Sequence, residues 1–264
     1  MLRLQQFAER GVDLREKHLK KALDDLDKFI DALKFPMISG NTLAGLNSPV
    51  ADKFKPYIVK EFGEEKVAIV SVLATDTDET SSPGDAVLFA DEIGYLKEAV
   101  KEIEGQGIDK IVLLSHVGYV KDQEIAAAVD GIDVIVGGHS HTLLSNTDEK
   151  AAGPYPTMVK NPAGKDVPIV QAYAYSKYLG DLTVVFDDAG VVKTATGEAK
   201  LLDASVTPDA GYVAKVTELG GPIEELKKKG LPWEKAKGFD GSAVVSQEFI
   251  PVEELEKSNM QFSL

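Results

Sequence analysis

Cysteine is absent from the chain, which excludes disulfide staples and thiolate metal ligands and leaves no trace of the redox compartment in which it works. Histidine is scarce: four residues, at positions 18, 116, 139 and 141. No apolar run approaches the ~20 residues of a membrane span. The opening stretch MLRLQQFAERGVDLREKHLKKALDD mixes charge with apolar residues where an export signal needs an unbroken apolar core. Neither a membrane span nor a signal peptide is expected. Basic residues number 29 against 43 acidic ones, and the net charge of −14 carries no basic stripe. A nucleic acid polymer is therefore not an expected partner. The same field repels free anions, so a phosphate ester handled here would need a local positive centre such as a metal ion.

What is present suffices for a full core: 264 residues, 44% of them apolar. From Leu19 the apolar positions Leu23, Leu26, Phe29, Ile30 and Leu33 recur at helical spacing up to Pro36. FPMISGN, residues 35–41, reads as a short buried strand, and residues 57–74 as two strands joined by a tight turn at Gly63 to Glu65. Residues 89–141 alternate helix (Asp91 to Ile103), strand (KIVLLS), short helix (Asp122 to Val129) and strand (IDVIVGG). That β-α-β order implies parallel neighbours whose carboxyl ends share one sheet edge. Beyond Thr142 a polar loop leads to VPIVQAYAY (167–175), then to antiparallel strands over 178–203 turning at Asp187 to Gly190 and near Gly197. Residues 207–230 return to helix, broken at Gly220 to Pro222, and the last 30 or so show little periodicity. The expected organisation is a helical segment over 1–34, an α/β domain over 35–206, and a helical segment with a linker-like tail over 207–264.

The histidines fall at the strand exits. His116 ends LLSH, while His139 and His141 follow Gly137 and Gly138 after the next strand, so parallel pairing brings all three imidazoles to one crevice. In extended chain His139 and His141 point to the same side, and the two glycines let the backbone approach a ligand. Neutral imidazole suits zinc, manganese or iron. Each histidine taken singly also serves as a backbone cap; three at one edge favour a shared ligand. His18 lies on a charged helix and is expected to be solvated, while Asp122, Asp130 and Asp133 read as loop and cap residues.

GIDVIVGGHSHT, preceded by LLSHVGYVKDQEIA, KVAIVSVLATDTDETSSPG and KFIDALKFPMISGN, and followed by IVQAYAYSKYLGDLTVVFDDAG, resembles the calcineurin-like metallophosphoesterase domain of the 5′-nucleotidase and 2′,3′-cyclic-nucleotide phosphodiesterase family. The resemblance runs from about Lys28 to Asp209. It implies a partial four-layer α/β/β/α sandwich with mixed sheets, a dinuclear divalent-metal site, and hydrolysis of nucleotide or small phosphoester substrates by a metal-activated water. By motif, His116 and His139 match ligands of the second metal, and His141 the histidine that reaches the first. Asn41 matches no ligand and reads as a turn residue. The family is usually periplasmic or extracellular. Its Asp-x-His, bridging Asp and Gly-Asn-His-Glu motifs do not occur here, and its C-terminal base-binding domain has no counterpart.

Three readings stay open: a shortened metallophosphoesterase with impaired turnover, a non-catalytic metal-binding or pseudoenzyme module completed by another chain, and a fold remnant without metal. The first two expect an unpaired sheet edge and uncovered apolar surface, which favour a homodimer or a complementing chain.

Overall fold

The computed structural model describes residues 19–81 and 83–229, so His18 and the C-terminal tail lie outside the described residues. The chain divides between Thr207 and Pro208 into two compact units.

The first unit is built on a six-stranded mixed sheet. Its strands are β2 (Tyr57–Phe62), β3 (Glu65–Leu73), β5 (Ile111–His116), β6 (Val134–Val136), β8 (Asp166–Val170) and β7 (Thr157–Lys160), in the order β2-β3-β5-β6-β8-β7. β3, β5, β6 and β8 run parallel, and the edge strands β2 and β7 pair antiparallel to their neighbours. The two β-α-β crossovers use α3 (Glu92–Gly105) and α4 (Tyr119–Ala128). Asp91 caps α3 by accepting from the Gly94 backbone N–H, and Leu96, Ala99, Val100 and Ile103 form its buried stripe. Those residues pack on Ala68, Val70 and Val72 of β3, on Ile111 and Leu113 of β5, and on Ile125 and Ala126 of α4. Along β5 burial alternates: Ile111, Leu113 and Ser115 are covered while Leu114 and His116 are exposed. The α/β class and the mixed sheet are as expected.

Two smaller sheets complete the unit: β1 (Thr42–Ala44) pairs with β4 (Val87–Phe89), and β9 (Tyr178–Phe186) with β10 (Val192–Leu201). The β9–β10 turn is fastened by Asp187, whose carboxylate accepts from the backbone N–H groups of Ala189 and Val191. Residues 19–32 form helix α1, and Thr77–Ser81 a short helix α2. In the second unit the described element is α5 (Ala210–Lys228), capped by Asp209.

Several local expectations are corrected. Residues 35–41 form no strand; Ile38 makes one isolated bridge to Lys55, and the ladder begins only at Thr42. There the chain is pressed on its neighbours, since a Cβ at Gly40 would fall 1.8 Å from the Tyr95 hydroxyl. Gly197 makes no turn: it lies within β10, where a Cβ would meet the Asp181 carbonyl at 2.0 Å, so this glycine answers a close approach. α4 starts at Tyr119, three residues before Asp122, because Gly118 at φ 94° turns the chain straight out of β5. α5 continues through Pro222: the proline removes a single helix hydrogen bond, and helix-forming segments flank it. β7 was not expected; its four residues follow the loop with Pro154 and Pro156 and close the sheet as an edge.

Asp133, buried just before β6, accepts from the Ile111 backbone N–H at 2.8 Å. Burial, only partly offset by that bond, pushes its carboxyl up to about 7. A folded-state value above the unfolded one means stability that is complete at low pH and lost as pH rises through the folded value. The urea midpoint of the native chain should therefore fall between pH 5 and pH 8. Asp133→Asn should flatten that fall without abolishing it, because Asp122, raised to about 6, keeps the same sign of slope. An equally steep fall in the variant would rule this out.

Candidate metal centre

His116 is the last residue of β5, in register with Leu73 of β3, and His139 follows β6 after two glycines. Parallel pairing delivers both to the same edge, and their rings meet edge-to-face with centroids 5.2 Å apart. His141 packs its ring against that of Tyr175, with centroids 5.5 Å apart. The structure thus brings two of the three histidines together and places the third beside an exposed tyrosine. Among the described residues no group of three His, Cys, Asp or Glu side chains could hold a metal ion. The third ring still bears on the pair: partial desolvation at the sheet edge first, then the nearby His139 and His141, hold the His116 pKa below its ordinary value. At neutral pH His116 is therefore an uncharged imidazole with a free lone pair.

The loop behind these rings is not extended as expected. His139 has φ 68° and His141 φ 53°, the left-handed region in which histidine is tolerated better than most residues. The Ser140 N–H donates to the Gly138 carbonyl at 2.8 Å, so His139 is the centre of a three-residue γ-turn. Such a conformation costs about 1–3 kcal/mol and persists only where its surroundings over-determine it. Gln171, the residue after β8 and only 3% exposed, supplies that constraint. Its Nε2 donates to the Gly138 carbonyl at 2.9 Å, while its Oε1 accepts from the Thr142 N–H and the Ser140 hydroxyl. The Ser140 Oγ in turn accepts from the Tyr119 N–H at 3.0 Å, capping α4 from the histidine loop.

Under the edge lies a polar layer that the sequence reading assigned to loops. Asp122 is fully buried in the first turn of α4 and accepts from the Ser115 hydroxyl at 2.5 Å. A Cβ at Gly137 would lie 2.3 Å from Asp122 Oδ2, and one at Gly138 would lie 3.0 Å from His116 Nδ1. The two glycines thus serve the approach of backbone to Asp122 and to His116. Asp130 is a loop residue, accepting from the Ala163 N–H. Asn41, fully buried, is more than a turn residue: it accepts from the Leu73 N–H and donates to the Leu73 and Ala90 carbonyls, fixing the exit of β3.

Beside His116 runs a cleft of about 210 Å³ walled by Ile38, Leu73, Leu114 and Val136. Larger clefts of about 400 and 490 Å³ lie elsewhere and touch none of the histidines. The donor chemistry of His116 and His139 fits two positions of a divalent cation's sphere, with the His141 backbone two residues further along the same loop. Gln171 and Ser140 were missed by motif reasoning. The available signal was a lone amide at the exit of an apolar strand.

No protein-family model matches the chain. Over 200 residues it is 38% identical to the snake venom 5′-nucleotidase of Gloydius brevicauda, a stretch covering 74% of this chain and 34% of that protein. The chain thus spans about a third of the length of the curated relatives it matches. A 5′-nucleotidase precursor from Thermus thermophilus is similar in structure with a TM-score of 0.72 at 39% identity, over 76% of this chain and 41% of that one. A calcineurin-like phosphoesterase of Bacillus subtilis, 20% identical, shares the fold with a TM-score of 0.58 over 81% of this chain and 67% of its own.

Replacing Gln171 by Ala removes the clamp and leaves buried loop groups unpaired, at a cost of about 1–3 kcal/mol. Hydrogen exchange at Thr142 should accelerate while amides in the middle of β5 keep their protection. Unchanged exchange at Thr142 would show that the loop holds its shape without the amide.

Proposed function

Given that this chain is homologous to the 5′-nucleotidases and shares the fold of a calcineurin-like phosphoesterase, we propose that it provides the histidine side of a metal-dependent nucleotide phosphoesterase centre. The observation that carries this reading is the His116–His139 pair at the carboxyl edge of parallel strands, where open α/β sheets bind ligands. His116 and His139 would hold a divalent cation, zinc, manganese or iron, and His141 would join them after turning from Tyr175 or reach a second one. When bound, such a cation polarises a phosphoryl oxygen and makes a water nucleophilic for in-line attack.

The chain's own residues prepare this chemistry. His116 stays neutral and keeps its lone pair available. Gln171 and Ser140 hold His139 in the left-handed turn that aims it at His116. Leu114 and Val136 line the cleft beside His116. The net charge of −14 favours a cation at this edge and disfavours a bare nucleotide, so cation should precede substrate. No carboxylate of the described residues stands with the imidazoles, so nucleotide turnover by this arrangement alone is slow.

A second reading, a binding module completed by another copy or another chain, is favoured by the exposure of Leu114 (41%) and Val136 (38%) beside His116. It predicts a dimer or complex in sedimentation. Two relatives bear on the compartment, a venom protein and a precursor, and both support work outside the cytoplasm.

Competition against a chelating dye tests the central proposal. The chain should take up Mn²⁺ or Zn²⁺, and His139→Ala should bind at least about tenfold more weakly. Hydrolysis of a 5′-nucleotide with added Mn²⁺ should stay far below the ~1–10³ s⁻¹ of ordinary enzymes. Equal cation binding by the variant sinks the metal reading, and fast turnover sinks the claim that a carboxylate is needed.

A further inference from the structure

Asp122 touches both strand exits of the histidine pair. Its Oδ1 accepts from Ser115, the neighbour of His116, and its Oδ2 lies against Gly137, two residues before His139. The carboxylate is fully buried, and Oδ2 has no hydrogen-bond partner. A native fold rarely leaves a buried carboxylate oxygen unpaired, because the cost is comparable to that of a lost hydrogen bond or more. Leucine or alanine in the first turn of α4 would pack there without that cost, so the acid needs a role beyond packing.

Its position supplies one. Gly137 has no Cβ, and only that absence admits Oδ2 to the backbone that carries His139. On the other side the bond to Ser115 ties the carboxyl to the residue before His116. A negative charge at this point lies beside the backbone of both strand exits, buried away from solvent, where low dielectric makes it count most. Resting on the metal-binding reading above, we propose that Asp122 is a positioning residue, which fixes the spacing of the His116 and His139 strand exits and supplies the buried counter-charge to a divalent cation held between them.

Without a cation that charge is opposed by burial, which raises the Asp122 carboxyl to about 6. A cation on the imidazoles favours the ionised form, so the acid gains most when the site is filled. Groups in the layer behind metal-binding histidines commonly change affinity by about 10- to 100-fold when removed.

The experiment measures Mn²⁺ affinity by dye competition for the intact chain, Asp122→Asn, Ser115→Ala and His139→Ala, with melting temperature in chelator as a check on folding. Asp122→Asn keeps the shape and removes the charge; it should bind about tenfold more weakly with little change in melting temperature in chelator. Ser115→Ala removes the hydrogen bond and keeps the charge, and should stay within about threefold of the intact chain. Should Asp122→Asn not fold, the smaller Asp122→Ser gives the same comparison. Native affinity in a folded Asp122 variant overturns the proposal, and so does a loss in Ser115→Ala as large as that in Asp122→Asn, since the effect would then be one of packing. If the intact chain binds no Mn²⁺, or His139→Ala binds as well as it does, the metal reading itself has failed and Asp122 has no cation to answer.

Discussion

A single buried amide shapes the histidine loop at this sheet edge. Gln171 arrives from the far end of β8 and meets the turn after β6 with one donor and one acceptor, and both are used on the same five-residue loop. The loop has chosen a conformation that L-residues avoid, and the amide offsets that choice with bonds that a solvated loop would make to water. Without it the Gly138 carbonyl, the Thr142 N–H and the Ser140 hydroxyl would each lose a buried partner. Two side chains 23 positions apart in sequence are thus held in contact by a third residue that touches neither ring.

Beneath that clamp the electrostatics follow from the packing. The helices cover one face of the sheet so well that Asp122 and Asp133 are both cut off from water, and each is raised for that reason. Asp133 has a backbone donor for compensation; Asp122 has one hydroxyl and a bare oxygen. The difference separates a carboxylate that closes a crossover from one turned toward the histidine edge. The His116 pKa, lowered by partial burial and by its histidine neighbours, belongs to the same edge, where charge is scarce.

Much of this was legible in the sequence. The β-α-β order of residues 89–141 carries its own hydrophobic periods, and with parallel pairing it forces His116 and His139 to one edge. Collinear motifs supplied the family, and homology to 5′-nucleotidases agrees with them. What escaped were effects of tertiary contact. The backbone at His139 and His141 is set by Gln171, 30 or more residues away, so local pattern pointed to extended chain. Asp122 looked like a cap because its sequence neighbours are polar, and only the fold shows Gly137 closing over it. Gly197 and Pro222 are the two residue types that most often break structure, yet here both lie inside continuous elements.

The hydroxyl of Ser140 has a second partner besides Gln171: the first amide of α4, which has no intrahelical acceptor of its own. Helix α4 precedes the histidine loop in the chain, yet its start is completed by an atom that comes later. The crossover helix therefore has this cap only where β6 lies beside β5 and the loop has closed. Assembly of the candidate site and completion of the fold are one cooperative step, so a population of chains with a docked helix but an open histidine loop should be small.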